Sequence, residues 1–415
     1  MTPVKGYSKM KDSGITEIGN IPKHWKITNI GRLFNVKAGG DAKPELYSDC
    51  QNLKHPYPVY TNSSDKNQIY AYTSKPMFNA NSITVTGRGD VGKAFFRSTP
   101  FDAIIRLLVL SPKYTVNAKY YSYWISYVTQ FLTTTTAVGQ LSAQQITPYK
   151  VALPPIEEQS AIAAYIDEKC SKIDEIIASA KASIEDYKQW KASIVNDAIT
   201  HGLNENEEKK ESGIYWIGKM PKKWKLKRLK YLFSIKKNIA GEPGHTVLAI
   251  TQQGIKPKNM SEKGQFALDY SKYQLVNPGD FAMNHMDLLT GWVDISQYNG
   301  VTSPDYRVFC AINPEGICAD YYKHIFQNCY RSRIFYGLGQ GVAGFGRWRL
   351  PADMFLNFIL PVPSIEEQKQ IAAYLETKCS QIDELIKEKE GLILDLESYK
   401  KSLIYEVVTG KRKVI

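Results

Sequence analysis

Apolar residues recur every three to four positions along residues 156–200 and again along 365–409, over more than four heptads in each stretch. In the first, one seam runs through Ile166, Ile173, Ala180, Tyr187 and Ile194, and the other through Cys170, Ile177, Ile184, Lys191 and Ala198. In the second, the seams are Leu375, Ile382, Lys389, Leu396 and Leu403, and Cys379, Ile386, Ile393, Lys400 and Val407. This period predicts two long amphipathic helices, each roughly 65–70 Å at ~1.5 Å per residue. Lysines in mid-seam are the flaws in the pattern. Prolines mark both starts: Pro154-Pro155 before the first helix, Pro361 and Pro363 before the second. Ser364 followed by Glu367 is a capping-box pair; Pro155 stands where the second copy has Ser364.

The two stretches are copies of each other. Aligned without gaps at a constant offset of 209, they share 20 identities in 45 positions. An isolated helix cannot bury such a stripe, so the copies are expected to pack on one another. A second repeat opens each half: Ser13 to Trp25 returns as Ser212 to Trp224, with Ile21-Pro22-Lys23-His24-Trp25 matching Met220-Pro221-Lys222-Lys223-Trp224. The chain is thus two half-repeats, each an opening motif, a globular segment and a long helix.

The globular segments, about 35–150 and 234–359, resemble each other only in outline. The first alternates like β-structure at Ser82–Thr86, and Tyr57–Tyr60 ends in a polar loop. Residues 119–132 predict an aromatic helix whose rings form core. In the second segment, Val276–Asp280 is a turn, and Gly291–Ile295 and Tyr306–Phe309 are strand-like. The reading is α+β: two globular mixed α/β domains joined by two long helices that pack on one another as a coiled coil. The expected boundaries are 1–155, 156–203, 204–363 and 364–415.

Charge sharpens this picture. The chain carries +12, yet residues 156–201 hold 5 basic and 9 acidic residues, and 365–410 hold 6 and 10. Each helix is therefore −4, which leaves +20 on the rest. Basic charge concentrated on the globular parts points to a polyanion, most often nucleic acid. No apolar run is long enough to span a bilayer, and Met1 to Lys5 begins no signal peptide. Six cysteines form no C-x-x-C pair, so a cytoplasmic chain without disulfides or structural zinc is expected.

Signals for catalysis are weak. Gly87/Gly89/Gly92 and Gly339/Gly341/Gly344 fit G-x-G-x-x-G, but neither opens a helix in a βαβ unit, so no dinucleotide site is expected. With Arg88, Lys93 and Arg97 near the first, and Arg347 and Arg349 beside the second, these glycines suit close approach to a phosphate backbone. Plain turn glycines with solvated charges are the bland alternative. The histidines lack metal-ligand spacing, and no P-loop is present.

The motifs Leu153-Pro154-Pro155-Ile156-Glu157-Glu158-Gln159 and Pro363-Ser364-Ile365-Glu366-Glu367-Gln368, with the two opening motifs, resemble the specificity subunits of type I restriction–modification systems. The resemblance implies a non-catalytic, sequence-specific DNA-binding subunit with two target recognition domains, each reading half of a split, asymmetric double-stranded site. It implies that the two long helices run antiparallel, and it implies no cofactor in this chain. Methyltransferase subunits would bring S-adenosylmethionine, and a restriction/translocase subunit would bring ATP and Mg. Candidate DNA-contacting residues are Thr61, Asn62, Ser63, Arg88, Lys93 and Gln140 in the first domain. In the second they are Gln252, Gln253, Asn284, His285, Gln340, Arg347 and Arg349. The rival readings are a DNA methyltransferase or nuclease with an unrecognised active site, and a coiled-coil scaffold that binds no DNA.

Overall fold

A computed structural model of the chain describes residues 6–131, 139–258, 270–341 and 348–414. The chain divides into two compact units: residues 1–181 with 390–415, and residues 182–389. Each unit contains a globular segment and one part of both long helices.

In the first unit a four-stranded sheet uses β1 (Phe34–Ala38), β2 (Ser82–Thr86), β3 (Ala94–Arg97) and β4 (Leu107–Pro112), in the order β1-β4-β2-β3 and antiparallel throughout. Helix α1 (Ala118–Tyr127) packs on it. The helix ends five residues earlier than the sequence pattern predicts. Its rings do form core: Tyr120, Tyr121 and Trp124 are buried. The second unit repeats the design with β5 (Phe233–Lys236), β6 (Phe281–Met283), β7 (Val293–Ile295) and β8 (Arg307–Ala311), ordered β5-β8-β6-β7. Its sheet core is aromatic: Phe233, Phe281, Phe309 and Phe326 make mutual ring contacts. The topology is thus duplicated where the sequences are dissimilar.

The long helices are α2 (Ile156–His201) and α4 (Ile365–Val408), with α3 (Ala319–Arg331) as the second unit's counterpart of α1. Within the first unit, Cys170, Ile173 and Ile177 of α2 share a core with Leu403, Ile404 and Val407 of α4. Within the second, Val195, Ala198 and Ile199 share one with Ile371, Ala372 and Leu375. Late residues of one helix meet early residues of the other, so the pairing is antiparallel. Two of the three mid-seam lysines, Lys400 and Lys191, prove to be fasteners. Lys400 Nζ lies 2.6 Å from Asp174 in the first unit, and Lys191 Nζ lies 2.6 Å from Asp383 in the second. Both residues of one pair map onto the other at the repeat offset of 209.

The repeated Glu-Glu-Gln motif ties helix to globular segment in the same way twice. Gln159 Nε2 donates to the Pro154 carbonyl at 2.8 Å, and its Oε1 accepts from the Asn117 N–H at 2.9 Å, at the start of α1. Gln368 Nε2 donates to the Pro363 carbonyl at 3.1 Å, and its Oε1 accepts from the Cys318 N–H at 2.9 Å, at the start of α3. Both glutamines are 1% exposed, so these bonds replace water for groups that could not otherwise be satisfied. At the next turn, Tyr120 Oη donates to the Val408 carbonyl and Tyr321 Oη to the Ile199 carbonyl. Glu158 accepts from Trp25 Nε1 and Tyr7 Oη and meets His24. Burial opposes its charge, yet the bonds from Trp25, His24 and Tyr7 hold its pKa below the usual carboxylate range. These contacts explain Trp25, Glu158 and the two repeated glutamines as frame; Trp224 is buried like Trp25, but its Nε1 makes no hydrogen bond among the described residues.

All six cysteines are unpaired, with Cys170 and Cys379 buried in the helix seams. Among the described residues, no helix is long and apolar enough to cross a membrane.

Candidate nucleic-acid interface

In the first unit, β2 leads into the loop Gly87 to Lys93, which returns into β3. Gly89 and Gly92 take positive φ of 73° and 90°, conformations that favour glycine. Gly87 is required for another reason: a Cβ there would lie 2.6 Å from the Arg106 carbonyl oxygen and 3.0 Å from that of Leu141. Asn62 clamps this loop from the strand Tyr57–Tyr60. Its Oδ1 accepts from the Gly87 N–H at 2.7 Å and the Arg88 N–H at 3.2 Å, and its Nδ2 donates to the Arg88 carbonyl at 2.8 Å. Arg88 pairs with Gln140 in an antiparallel bridge, and Gln140 Oε1 accepts from Arg106 Nη1 at 2.8 Å.

Asn62, Arg88 and Gln140 therefore come together, with Arg106 as a fourth member that sequence reasoning missed. Its signal was there: one arginine inside the apolar run Ala103-Ile104-Ile105-Arg106-Leu107-Leu108. Arg88, Arg106 and Gln140 are exposed. Thr61 and Ser63 flank Asn62, half-buried, and Ser63 Oγ accepts from the Asp65 N–H. Lys93, at the far end of the loop, is exposed, with its Nζ 4.0 Å from Asp90. Arg97, read from sequence as a neighbour of the phosphate-facing set, is 7% exposed. Its guanidinium lies 3.5 Å over the Tyr60 ring and donates to Thr84 Oγ1 and the Lys66 carbonyl. It is part of the fold's interior, because an arginine on an inward strand position has to be satisfied there.

In the second unit, Gln252 and Gln253 form the exposed two-residue tip of a hairpin between the strands Leu248–Thr251 and Gly254–Pro257. Asn284 and His285 follow β6. Asn284 Oδ1 accepts from the Met286 N–H, and the His285 carbonyl accepts from the Leu350 N–H. Gln340 and Arg349 exchange backbone bonds of 2.8 and 3.1 Å, which brings Arg349 beside His285. Burial, with the charges of Arg307 and Arg349, pushes the His285 pKa down to about 3, so its ring is neutral. Arg307 itself is buried; its Nη2 donates to the Leu350 carbonyl and its guanidinium lies 4.6 Å over Phe355. Arg347 lies outside the described residues, as does Gly344.

These surfaces offer exposed amide and guanidinium groups on backbones held by hydrogen bonds. That is chemistry for donating to phosphates and to base edges. Among the described residues, no three His, Cys, Asp or Glu side chains are grouped to hold a metal.

Comparison with known proteins agrees with this arrangement. Residues 22–186 match the type I restriction modification DNA specificity domain. The chain is 26% identical over 167 residues to a putative type I specificity subunit, S.MpnORF89P, of Mycoplasma pneumoniae; that match spans 39% of this chain and half of the relative. It is 24% identical over 417 residues to the type I restriction enzyme MjaVIII specificity subunit of Methanocaldococcus jannaschii, spanning 95% of this chain and 94% of the relative. A chain from a solved type I R-M complex shares the fold with a TM-score of 0.67 at 10% identity, over 94% of this chain and 99% of its own length. The HsdS subunit of Thermoanaerobacter tengcongensis does so at 0.51 and 11%, over 94% and 98%. Residues 22–186, which take in the end of the first opening motif, thus match the type I restriction modification DNA specificity domain, and nearly the whole chain is similar to a type I specificity subunit.

Proposed function

We propose that this chain supplies DNA sequence specificity to a type I restriction–modification complex, each globular segment reading one half of a split, asymmetric site. The carrying observation is that the frame is duplicated bond for bond at Gln159 and Gln368, while the loops borne on it differ. A repeated frame with unlike loops suits two different half-sites. Residues 1–155 and 204–363 would act as the recognition domains, on helical supports at 156–203 and 364–415. Basic side chains would neutralise phosphates and set register, and a smaller set would read base edges.

The chemistry would lie with partners. Methyltransferase subunits would bind S-adenosylmethionine, and a restriction/translocase subunit would use ATP and Mg, in the cytoplasm where the DNA is. The −4 charge on each long helix favours protein partners there over the duplex. The test is to exchange residues 35–150 for those of a relative and map the modified sites. The reading expects one half-site to change; change in both halves, or in neither, opposes it.

A further inference from the structure

We infer that Arg106, oriented by Gln140, reads a base edge in one half-site, whereas Asn62 acts only as a positioning residue for the Arg88 loop. This deepens the proposed function and rests on it.

Base readout demands a guanidinium fixed in direction, because the fork must meet two acceptors on guanine at once. Arg106 meets that demand. Its backbone is pinned on both sides: the Ile105 N–H donates to the Gly40 carbonyl, and the Leu107 N–H to the Ile104 carbonyl. Its side chain is held at Nη1 by Gln140, and its remaining N–H donors have no partner among the described residues. Gln140 is fixed in turn, since its backbone pairs with Arg88 and the neighbouring Leu141 N–H donates to the Gly87 carbonyl at 2.8 Å. The Arg106–Gln140 pair thus orders a long side chain before any ligand arrives, and the ordering cost of binding falls accordingly.

Asn62 contrasts with this. Both ends of its amide are engaged by the Gly87-Arg88 backbone, so its orientation is set by the loop it holds. Arg88 differs again: its backbone is clamped while its side chain is exposed. A mobile cation on a fixed stem suits a phosphate, where charge matters more than direction.

The experiment uses the full chain assembled with its methyltransferase partners, after the modified sites have been mapped. Affinity is measured for the target duplex and for duplexes with each base pair of the site replaced in turn. Arg106→Ala is expected to lose discrimination at one G·C position by about 5- to 150-fold, leaving the other positions as they were. Arg106→Lys keeps the charge without the fork, so it should lose the same discrimination while keeping the wild-type salt slope. Gln140→Ala should relax that same position in part. Arg88→Ala should weaken every duplex alike and lower the salt slope by about one unit.

If Arg106→Ala and Arg106→Lys leave discrimination intact at every position, or weaken all duplexes uniformly, the assignment is overturned. Relaxed discrimination at a single position in Asn62→Ala, with the Arg88 loop intact by hydrogen exchange, would overturn the positioning role. A wild-type complex with no sequence preference would overturn the proposed function itself, a result distinct from either.

Discussion

Removing the side-chain amide of Gln159 should loosen the first unit selectively. In Gln159→Ala the Asn117 N–H loses its acceptor and the Pro154 carbonyl loses its donor, at a site 1% exposed where water does not substitute. Each stranded backbone group costs about 1–3 kcal/mol, so the loss from the two is about 2–6 kcal/mol. At roughly 2–3 kcal/mol per M urea, the unfolding midpoint of this unit falls by about 1–2 M. Hydrogen exchange read peptide by peptide across a urea series separates the units. Peptides from residues 6–131 should lose protection early, and those from 212–258 should keep theirs. Gln368→Ala should reverse the pattern, through the Cys318 N–H and the Pro363 carbonyl. A loss below about 0.5 kcal/mol, or equal loosening of both units by either variant, would refute the reasoning that these glutamines are the joints of the frame.

Other outcomes are as specific. Lys400→Asp should lower stability by about 0.5–1 kcal/mol through like-charge repulsion with Asp174, and adding Asp174→Lys should restore it; a double-mutant cycle by thermal unfolding checks this. His285 and His324 are neutral in the folded second unit, with pKa values pushed down to about 3 and about 4, so the unfolded chain binds more protons below the ordinary value of about 6.5. Their contribution is full above that pH and falls as pH drops toward the folded values, by up to about 1.4 kcal/mol per pH unit for each; urea melts of His285→Gln and His324→Gln should show a flatter acid limb. Deleting one heptad from both long helices should shorten the spacer between half-sites; modification mapping showing an unchanged spacer opposes a spacing role for the helices.

Much of the frame was legible because it is periodic and repeated. The Ile166 and Leu375 seams and the packing of the two helices on each other follow from heptad spacing plus a gapless copy, and the prolines mark the helix starts; the antiparallel direction came from the family resemblance. The lysines at 191 and 400 looked like defects because their partners, Asp383 and Asp174, are distant in sequence and lie off the apolar seam. The strand at Ser82–Thr86 was visible from alternation, whereas helix α1 stops at Tyr127 although its aromatic pattern continues to Phe131. At the candidate interface, residue type marked exposed loops well enough to find Asn62, Arg88 and Gln140. It could not tell Asn62, whose amide is consumed by backbone, from a side chain free for a ligand. Arg97 was misjudged because whether a strand arginine points inward onto a ring depends on strand register, and Arg106 was missed because the apolar run around it hides a turn between two strands.

The most direct measurement is sequencing of modified bases in the DNA of a host that carries this chain together with the methyltransferase subunits proposed as its partners. The account predicts one split motif with two unlike halves separated by a fixed stretch of unspecified bases. A continuous motif, a split motif with two identical halves, or modification without any sequence preference would contradict it.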